Sequence, residues 1–279
     1  MITIENSFFH VEINEFGAEL HSVLDKRINQ ELLYQADSPA WAHQDVVLFP
    51  FIGPAKDYVI AGKKYSCPTN HGFCRVKKFT AIQKGGDFVT LRLLSDADTK
   101  AVYPFDFVLN ATYKLEKNAL RRSFQVLAKD GKTMPFALGD HAAYKARFGA
   151  AVLHLGNAPL SYLPRPDGVL QEAIPFEHPG DYLLKKEDFK HCETIVLVNP
   201  RHPISLSTGY GERLTYHFHS PSIAIWSPSL DADFLCVEPW WGLPTYEGQS
   251  DEVAKRKDIN LVDKEALFEE KISFENRAD

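Results

Sequence analysis

Three stretches of this sequence combine polar side chains with glycine, proline and aromatic residues: PTNHGFCRV (68–76), FALGDHAAYKA (136–146) and FLCVEPWWG (234–242). Their histidines and carboxylates can move protons near neutral pH, which is the chemistry of general acid–base catalysis. The segments that contain them begin as apolar, strand-like runs and then break. Irregular segments at the ends of rigid strands commonly present functional groups, so we expect a functional site here.

Glu238 follows the apolar run FLCV and precedes Pro239, which restricts its backbone to extended conformations. A carboxyl group surrounded by Phe, Trp and Pro side chains loses solvation, which raises its pKa and makes it a better base near neutral pH. The alternative is a structural glutamate that accepts a buried backbone N–H or pairs with an arginine. The residues themselves leave both interpretations open.

His141 follows an apolar run that ends at Gly139. An imidazole titrates in the physiological range and suits the role of a catalytic acid or base. A histidine near apolar residues is, however, more often a hydrogen-bonded structural side chain. Asp140, directly before it, would either orient the ring or face water.

His71 lies directly before Gly72, which permits a close backbone approach, and four residues before Arg75. Imidazole and guanidinium donors suit hydroxyl groups and ring oxygens, and Trp240 and Trp241 offer flat faces for stacking against a sugar. Taken alone, His71 is more typical of a loop histidine, and the tryptophans of core aromatics. No His-x-His pair or close His/Asp/Glu cluster has the spacing of metal ligands, so we predict no metal site.

The scaffold that must position these residues is rich in short alternating segments, such as FFHVEIN, FVTLRLL, FVLNATYKLE, RLTYHFH and IAIWSP. Turn signals such as QKGGDF and AKDGKT separate them, and together they predict an all-β antiparallel sandwich or barrel. The composition shows no internal break, so we predict a single domain over residues 1–279. Helical signals are short, in SDADTKAVYP (capped by Ser95 or Asp96) and LLKKEDFK. The proline-rich NAPLSYLPRPDGVL predicts a long surface connection.

The composition excludes several classes of protein. A net charge of −6 and only short basic runs argue against a nucleic-acid partner, which requires a concentrated basic surface. The amino-terminal residues lack the features of a secretory signal and no apolar run is long enough to span a membrane, so we predict a cytoplasmic protein without a membrane partner. The four cysteines have no CxxC spacing and are predicted to be small buried side chains rather than a disulfide or zinc pair.

In this order, the stretches resemble the aldose 1-epimerase (galactose mutarotase) family, and in particular its LacX-like branch. The resemblance extends along almost the whole chain, from FGAELHSVLDK and LLYQADSPAWAHQDVVLFPFIG through CPTNHGFCRVKKF and MPFALGDHAAYKA to IAIWSPSLDADFLCVEPWWGLP. It implies a large antiparallel β-supersandwich with few short helices. It also implies that the chain interconverts the α and β anomers of an aldohexose such as galactose or glucose, without a cofactor.

The family's reaction needs a base that removes the proton of the anomeric hydroxyl and an acid that protonates the ring oxygen, so that the ring opens and closes again on the other face. The resemblance assigns the base to Glu238, the acid to His141 and a sugar-binding role to His71. Arg75 matches the arginine that follows His-Gly-Phe in this branch. The predicted site therefore has two catalytic residues and four substrate-binding residues: Glu238 and His141; His71, Arg75, Trp240 and Asp140.

Two positions depart from the family's pattern. Many relatives carry a sugar-binding arginine after FPxxG, where this chain has Pro54; Lys56 or Arg75 would have to replace that contact, or the substrate differs. Asp140 stands where a glycine is usual. A carboxylate close to His141 would raise the pKa of the imidazole by favouring its charged form.

The family's sugar-binding aspartate has no clear counterpart in the sequence. Asp231 and Asp233 are candidates by residue type alone, and their surroundings are more typical of a turn.

Two other functions stay open at this point. A hexose-6-phosphate mutarotase would need a cationic cluster, for which Lys56, Lys145 and Arg147 are candidates. A carbohydrate-binding or sensing protein would keep the fold and the groove with little turnover. In each case the expected partner is a small-molecule monosaccharide, and we expect a monomer or a homodimer.

Overall fold

The computed structural model describes residues 1–178, 180–192, 194–200, 203–228 and 231–276. Within these ranges the protein is nearly all β, with antiparallel pairing along its two large sheets, which confirms the predicted fold. The predicted alternating segments all contain strands. In strands such as Phe88–Leu94, burial alternates from one residue to the next, as the alternation of apolar and polar residues in the sequence predicts.

The first large sheet contains the strands of His141 and Glu238, whereas the stretch with His71 lies outside its strands. Its strand order is β16 (Ile174–Pro175), β15 (Ser161–Leu163), β18 (Thr194–Val198), β21 (Ser222–Trp226), β22 (Phe234–Trp241), β13 (Leu138–Lys145) and β5 (Asp45–Leu48).

The second large sheet packs on the other side of the core. Its strand order is β17 (Asp181–Leu183), β14 (Val152–His154), β19 (Ile204–Ser207), β20 (Glu212–Phe218), β24 (Glu265–Asn276), β11 (Ala119–Ala128), β10 (Phe107–Glu116), β9 (Phe88–Leu94) and β8 (Thr80–Lys84). A single hydrophobic cluster draws side chains from both large sheets, such as Leu109 and Phe124 from one and Leu138 and Val237 from the other.

Smaller elements complete the description. They are the sheet of β1 (Ile2–Glu5), β2 (Phe9–Ile13), β3 (Leu20–Asp25) and β4 (Gln30–Glu31), and the pairs β6 (Tyr58–Ile60) with β7 (Lys63–Tyr65) and β12 (Met134–Phe136) with β23 (Asn260–Val262). The helices are α1 (Ala97–Val102) and 3₁₀ helices at Cys74–Val76, Pro166–Gly168, Lys186–Cys192 and Val253–Lys255. No helix in the described ranges is both long and apolar enough to cross a membrane.

The predictions for the short helix and the cysteines agree with the structure, and the prediction for the proline-rich segment does so only in part. Helix α1 has Asp96 as its cap, in a reciprocal capping box with Thr99, as SDADTKAVYP indicates. The thiols of Cys67, Cys74 and Cys236 are free and buried, as predicted; the side chain of Cys192 lies outside the described part. The prediction for NAPLSYLPRPDGVL is wrong in part, because this segment contributes β15 to the first large sheet and then a 3₁₀ turn.

Candidate active site

Strand alternation brings Glu238 and His141 together on one face of the first large sheet. Glu238 lies on β22 and His141 on the adjacent strand β13. His141 Nε2 lies 3.3 Å from Glu238 Oε1, and the two side chains are 4% and 2% exposed. Residues separated by almost a hundred positions are therefore within hydrogen-bonding reach, as acid–base catalysis at one substrate bond requires.

The pair borders a small cavity of about 140 Å³. Its wall combines aromatic and aliphatic side chains with a few polar groups, the usual character of a small-molecule site. The lining residues are Trp41, Ile52, Gly53, Pro54, Asn70, His71, His141, Arg165, Thr194, Trp226, Glu238, Trp240 and Pro244. The structure thus brings His71, His141, Glu238 and Trp240 into one cleft.

Burial moves the pKa values of the two central groups in opposite directions. Loss of solvation raises the pKa of Glu238 well above 4.5, while the N–H of Trp240 (Nε1 to Oε2, 3.2 Å) and the positive charge of Arg165 act in the other direction. Loss of solvation also lowers the pKa of His141 well below 6.5, and His71 and Arg75 add to this. The Glu238 carboxylate is therefore a stronger base than a solvated carboxylate, and the His141 imidazolium is a stronger acid than a solvated imidazolium.

Two tryptophans hold the His141 ring. Trp41 stacks on it with ring centroids 4.4 Å apart and planes 17° apart, and Trp226 meets it edge-on at 5.4 Å. The Nδ1 atom of His141 is buried and has no hydrogen-bond partner among the described residues. Packing fixes the orientation of the ring, with Nε2 directed at Glu238 and Nδ1 without a partner in the described part of the chain.

Backbone geometry fixes His71 at the rim of the cavity. Its φ of 63° lies in the left-handed region, and a Cβ on the following Gly72 would lie 2.1 Å from the carbonyl oxygen of Phe49. The glycine in the His-Gly-Phe stretch is therefore required by a close backbone approach.

The protonation state of His71 follows from its contacts. The Gly53 N–H donates to His71 Nδ1 at 3.1 Å, which leaves the Nε2–H as a donor. Burial, with the charges of Arg75 and Arg165, lowers the pKa of His71 to about 3. A neutral ring with one free N–H is suited to donate a hydrogen bond to a sugar oxygen.

Arg75 lies behind the cavity wall. Its Nη2 donates to His43 Nε2 at 2.7 Å, and His43 in turn contacts Glu19. Its guanidinium carbon lies 5.8 Å from the centroid of the Trp41 ring, which stacks on His141. In this position Arg75 supports the aromatic wall and does not line the cavity, so the structure does not place it among the substrate-binding residues as predicted.

The structure does not bring Asp140 into the cavity. Because neighbouring residues of a strand point to opposite faces, its carboxylate enters the core, where Oδ1 lies 2.9 Å from Arg122 Nη2. Arg122 also pairs with Asp45 and Glu270. The predicted substrate-binding role of Asp140 is therefore wrong. The close approach that would let it raise the pKa of His141 does not occur, and burial lowers that pKa.

The cavity contains a positive charge, that of Arg165, which belongs to the segment predicted from the sequence to be a surface connection. Arg165, just after β15, donates from Nη1 to Thr194 Oγ1 at 3.1 Å, and both residues line the cavity beside Pro54. Lys56 is exposed, and Lys145 pairs with Asp37 at 3.0 Å. The proline-rich LPRPDG motif predicts a surface connection. The pairing of β15 with β18 is what places Arg165 beside the cavity, and the sequence does not show this pairing.

The remaining candidates have simple surroundings. Trp241 packs in the main core, unlike its neighbour Trp240, and Asp231 and Asp233 are exposed in the turn before β22. Trp41 and Trp226 were not singled out, since an isolated Trp carries no signal for which face of the sheet it occupies.

One set of side chains here has the donor types that zinc accepts. The ligand atoms of His141, Cys236 and Glu238 all lie within 4.8 Å of one another, because Cys236 and Glu238 share one face of β22. A cation bound there would occupy the lone pairs that acid–base chemistry uses. The sequence-based argument against metal ligands missed this set because the strands bring it together.

The fold and this pair of proton-transfer groups define a family. The family model for aldose 1-epimerase matches residues 1–246, and the chain belongs to the aldose 1-epimerase family. The chain is also similar to the chromosomal protein LacX of Lactococcus lactis subsp. lactis, with 28% identity over 265 residues and 88% of each chain covered.

Solved structures agree with this assignment. A galactose mutarotase-like protein from Lactobacillus casei ATCC 334 has 29% identity, a TM-score of 0.91, and coverage of 99% of this chain and all of the other. A galactose mutarotase related enzyme from Lactobacillus acidophilus superimposes with a TM-score of 0.94 at 24% identity, covering 100% and 98% of the two chains. The second likeness concerns the fold.

Proposed function

We propose that this protein interconverts the α and β anomers of a neutral aldohexose such as galactose or glucose. The observation that carries the proposal is the contact of His141 with Glu238 at 3.3 Å in a small, partly aromatic cavity. With the pair's one proton on His141, the opposite pKa shifts make the Glu238 carboxylate a strong base and the His141 imidazolium a strong acid.

The proton balance of the proposed reaction closes over one cycle. For ring opening, Glu238 takes the proton of the anomeric hydroxyl and His141 gives a proton to the ring oxygen as the C1–O5 bond breaks. The aldehyde end then turns, and the O5 hydroxyl attacks C1 from the other face. His141 recovers its proton from O5, and Glu238 returns one to O1. The pair holds one proton throughout, so no cofactor is needed.

Three further groups have proposed binding roles. Neutral His71 donates its Nε2–H to a sugar oxygen, and Trp240 orients Glu238 through its indole N–H while offering its face to the ring. Arg75 acts through Trp41 and through its effect on the histidine pKa values. A role for Asp140 is indirect, as an anchor of β13 in the core.

A phosphorylated hexose is less well supported. Arg165 is the one lysine or arginine among the described residues that line the cavity, and its charge already acts on Glu238. A phosphate dianion generally needs several donors of positive charge. We also propose that the enzyme works in the cytoplasm, where cysteine thiols generally stay reduced, as the buried thiols do here. We propose that it is a monomer or a homodimer.

The test is anomer exchange, measured by polarimetry or saturation-transfer NMR with freshly dissolved α-galactose, α-glucose and their 6-phosphates. We expect acceleration over buffer with at least one neutral hexose and less with its 6-phosphate. Absence of acceleration with every sugar would contradict the proposal, and saturable binding without acceleration would favour a sugar-binding or sensing protein. A preference for the phosphate esters would redirect it to hexose-6-phosphate mutarotation.

A further inference from the structure

A second, open groove adjoins the active-site cavity and shares Arg165 and Thr194 with it. The groove has a volume of about 1050 Å³, several times that of the cavity. The shared residues form the boundary between the two spaces. A ligand that fills the cavity therefore meets the groove at Arg165 and Thr194.

The strand order shows on which side of the catalytic pair the groove lies. Glu238 is on β22, β21 follows, and Thr194 is on β18, with Tyr162 of the groove on β15 beyond it. Neighbouring strands are about 4.8 Å apart, so the groove begins roughly 10 Å from the strand of Glu238. An aldose with C1 at the catalytic pair would direct its opposite edge, away from the anomeric centre, toward Arg165.

The groove's walls have the chemistry of a sugar subsite. Tyr162, Phe176 and Tyr182 form a partly exposed aromatic cluster, with ring centroids 5.8 and 5.6 Å apart, and such rings pack against the C–H faces of sugars. Asp167 and Glu187 supply carboxylate acceptors for hydroxyl groups. Carboxylates repel phosphate, so the groove favours a neutral ligand.

Arg165 is incompletely bonded at the junction. Its Nη1 donates to Thr194, but its Nε atom is buried without a hydrogen-bond partner among the described residues. Burial also lowers its pKa, an effect that Glu238 partly offsets. A buried N–H without an acceptor is costly, and a small rotation of the side chain would let it donate to a hydroxyl or glycosidic oxygen between the two spaces.

We propose that the groove is a second sugar subsite and that the preferred substrate is a neutral reducing disaccharide or longer saccharide. The reducing aldose occupies the cavity, and the next sugar, attached at a carbon away from the anomeric centre, lies on the aromatic cluster. The glycosidic bond stays intact, because the reaction opens and closes the reducing ring alone. This inference rests on the proposed mutarotase function.

The test compares substrates that share a reducing glucose: glucose itself, the 4-linked cellobiose and lactose, and the 6-linked isomaltose and melibiose. The kcat/KM of anomer exchange is measured by NMR for the wild-type chain, Tyr182→Ala, Glu187→Ala and the control Tyr210→Ala, an exposed tyrosine outside the groove. We expect one linkage to exceed glucose about tenfold. The groove variants should remove about three- to tenfold of that advantage, the size of one lost contact, and leave glucose unchanged.

Three outcomes separate the possibilities. An equal or lower kcat/KM for every disaccharide would overturn the subsite while leaving the mutarotase proposal intact. Equal losses on glucose and disaccharide in Tyr182→Ala and Glu187→Ala, with Tyr210→Ala unchanged, would assign the groove residues a structural role and also overturn it. Lack of acceleration with all sugars, glucose included, would overturn the proposed function itself.

Discussion

Two groups of buried polar side chains lie on opposite faces of strand β13 and are stabilised differently. On the core face, Arg122 is surrounded by the carboxylates of Asp45, Asp140 and Glu270, so that its charge is compensated. On the cavity face, His141 and Glu238 have each other and an indole N–H. Burial raises the pKa values of Asp45, to about 6, and Asp140 on the core face as well, but there the carboxylates are held in ion pairs that link the two large sheets. On the cavity face the shifted groups border a space that a ligand can enter, where they are available for proton transfer.

The buried atoms without hydrogen bonds follow the same division. Among the described residues, those on the core face belong to the Arg122 cluster, where opposite charges are in contact. The others belong to Trp41, His141 and Arg165, and all three residues line the cavity. Polar atoms that the fold leaves unpaired in one cavity indicate a polar ligand, and a sugar presents hydroxyls on every side.

The largest expected effect is on the cavity face. Glu238→Gln and His141→Asn should each reduce the rate of anomer exchange by about 10²–10⁴, because each removes one partner of proton transfer. Glu238→Gln preserves size and leaves no charge unpaired, so the free energy of unfolding should change little. His141→Asn leaves a small gap beside Trp41 and Trp226 and should lower it by about 1–2 kcal/mol, which leaves the protein folded. Near-wild-type exchange in either variant would remove that residue from the mechanism.

On the core face, the expected effect is on stability. Arg122→Met leaves three buried carboxylates without their cation and should reduce the free energy of unfolding by about 3–5 kcal/mol, measured by urea denaturation. The adjacent Arg121 is a matched control, because it makes a partly exposed ion pair with Glu116 at 2.9 Å. Arg121→Met should cost less than about 1 kcal/mol. Equal losses in the two variants would contradict the structural role of the cluster.

The sequence was informative where a pattern is local. Alternation predicts the strands, and the His-Gly-Phe stretch indicates a strained position that the Gly72 contact explains. The resemblance supplied the identity of Glu238 and His141. Their face of the sheet could have been read from the strand period, which also separates His141 from Asp140.

The sequence does not show which strands are neighbours in the sheet. Arg165 and Thr194 reach the cavity because β15 pairs with β18 and β18 with β21, across connections of many residues. Such pairing depends on the whole sheet, and neighbouring residues carry no record of it. The search for a cation to replace the arginine expected at Pro54 therefore turned to Lys56 and Arg75, while the structure offers Arg165.

A smaller effect is expected at the rim of the cavity. His71→Asn should raise KM about fivefold, the value of one hydrogen bond of about 1 kcal/mol, with a lesser change in kcat. Steady-state exchange kinetics would show the division. His154→Asn is the control, because this histidine lies on β14 and pairs with Asp181 of β17, outside the cavity. An unchanged KM in His71→Asn would count against a binding role.

The pH dependence of kcat/KM for anomer exchange, corrected for the buffer-catalysed rate, tests the central claim most directly. The active pair holds one proton, so activity falls on the acid side when a second proton binds. Because burial lowers the pKa of His141 well below 6.5, that proton should bind only well below this pH. The account predicts full activity at pH 6.5 and loss at a lower pH; half of the activity lost at pH 6.5 or above would contradict it.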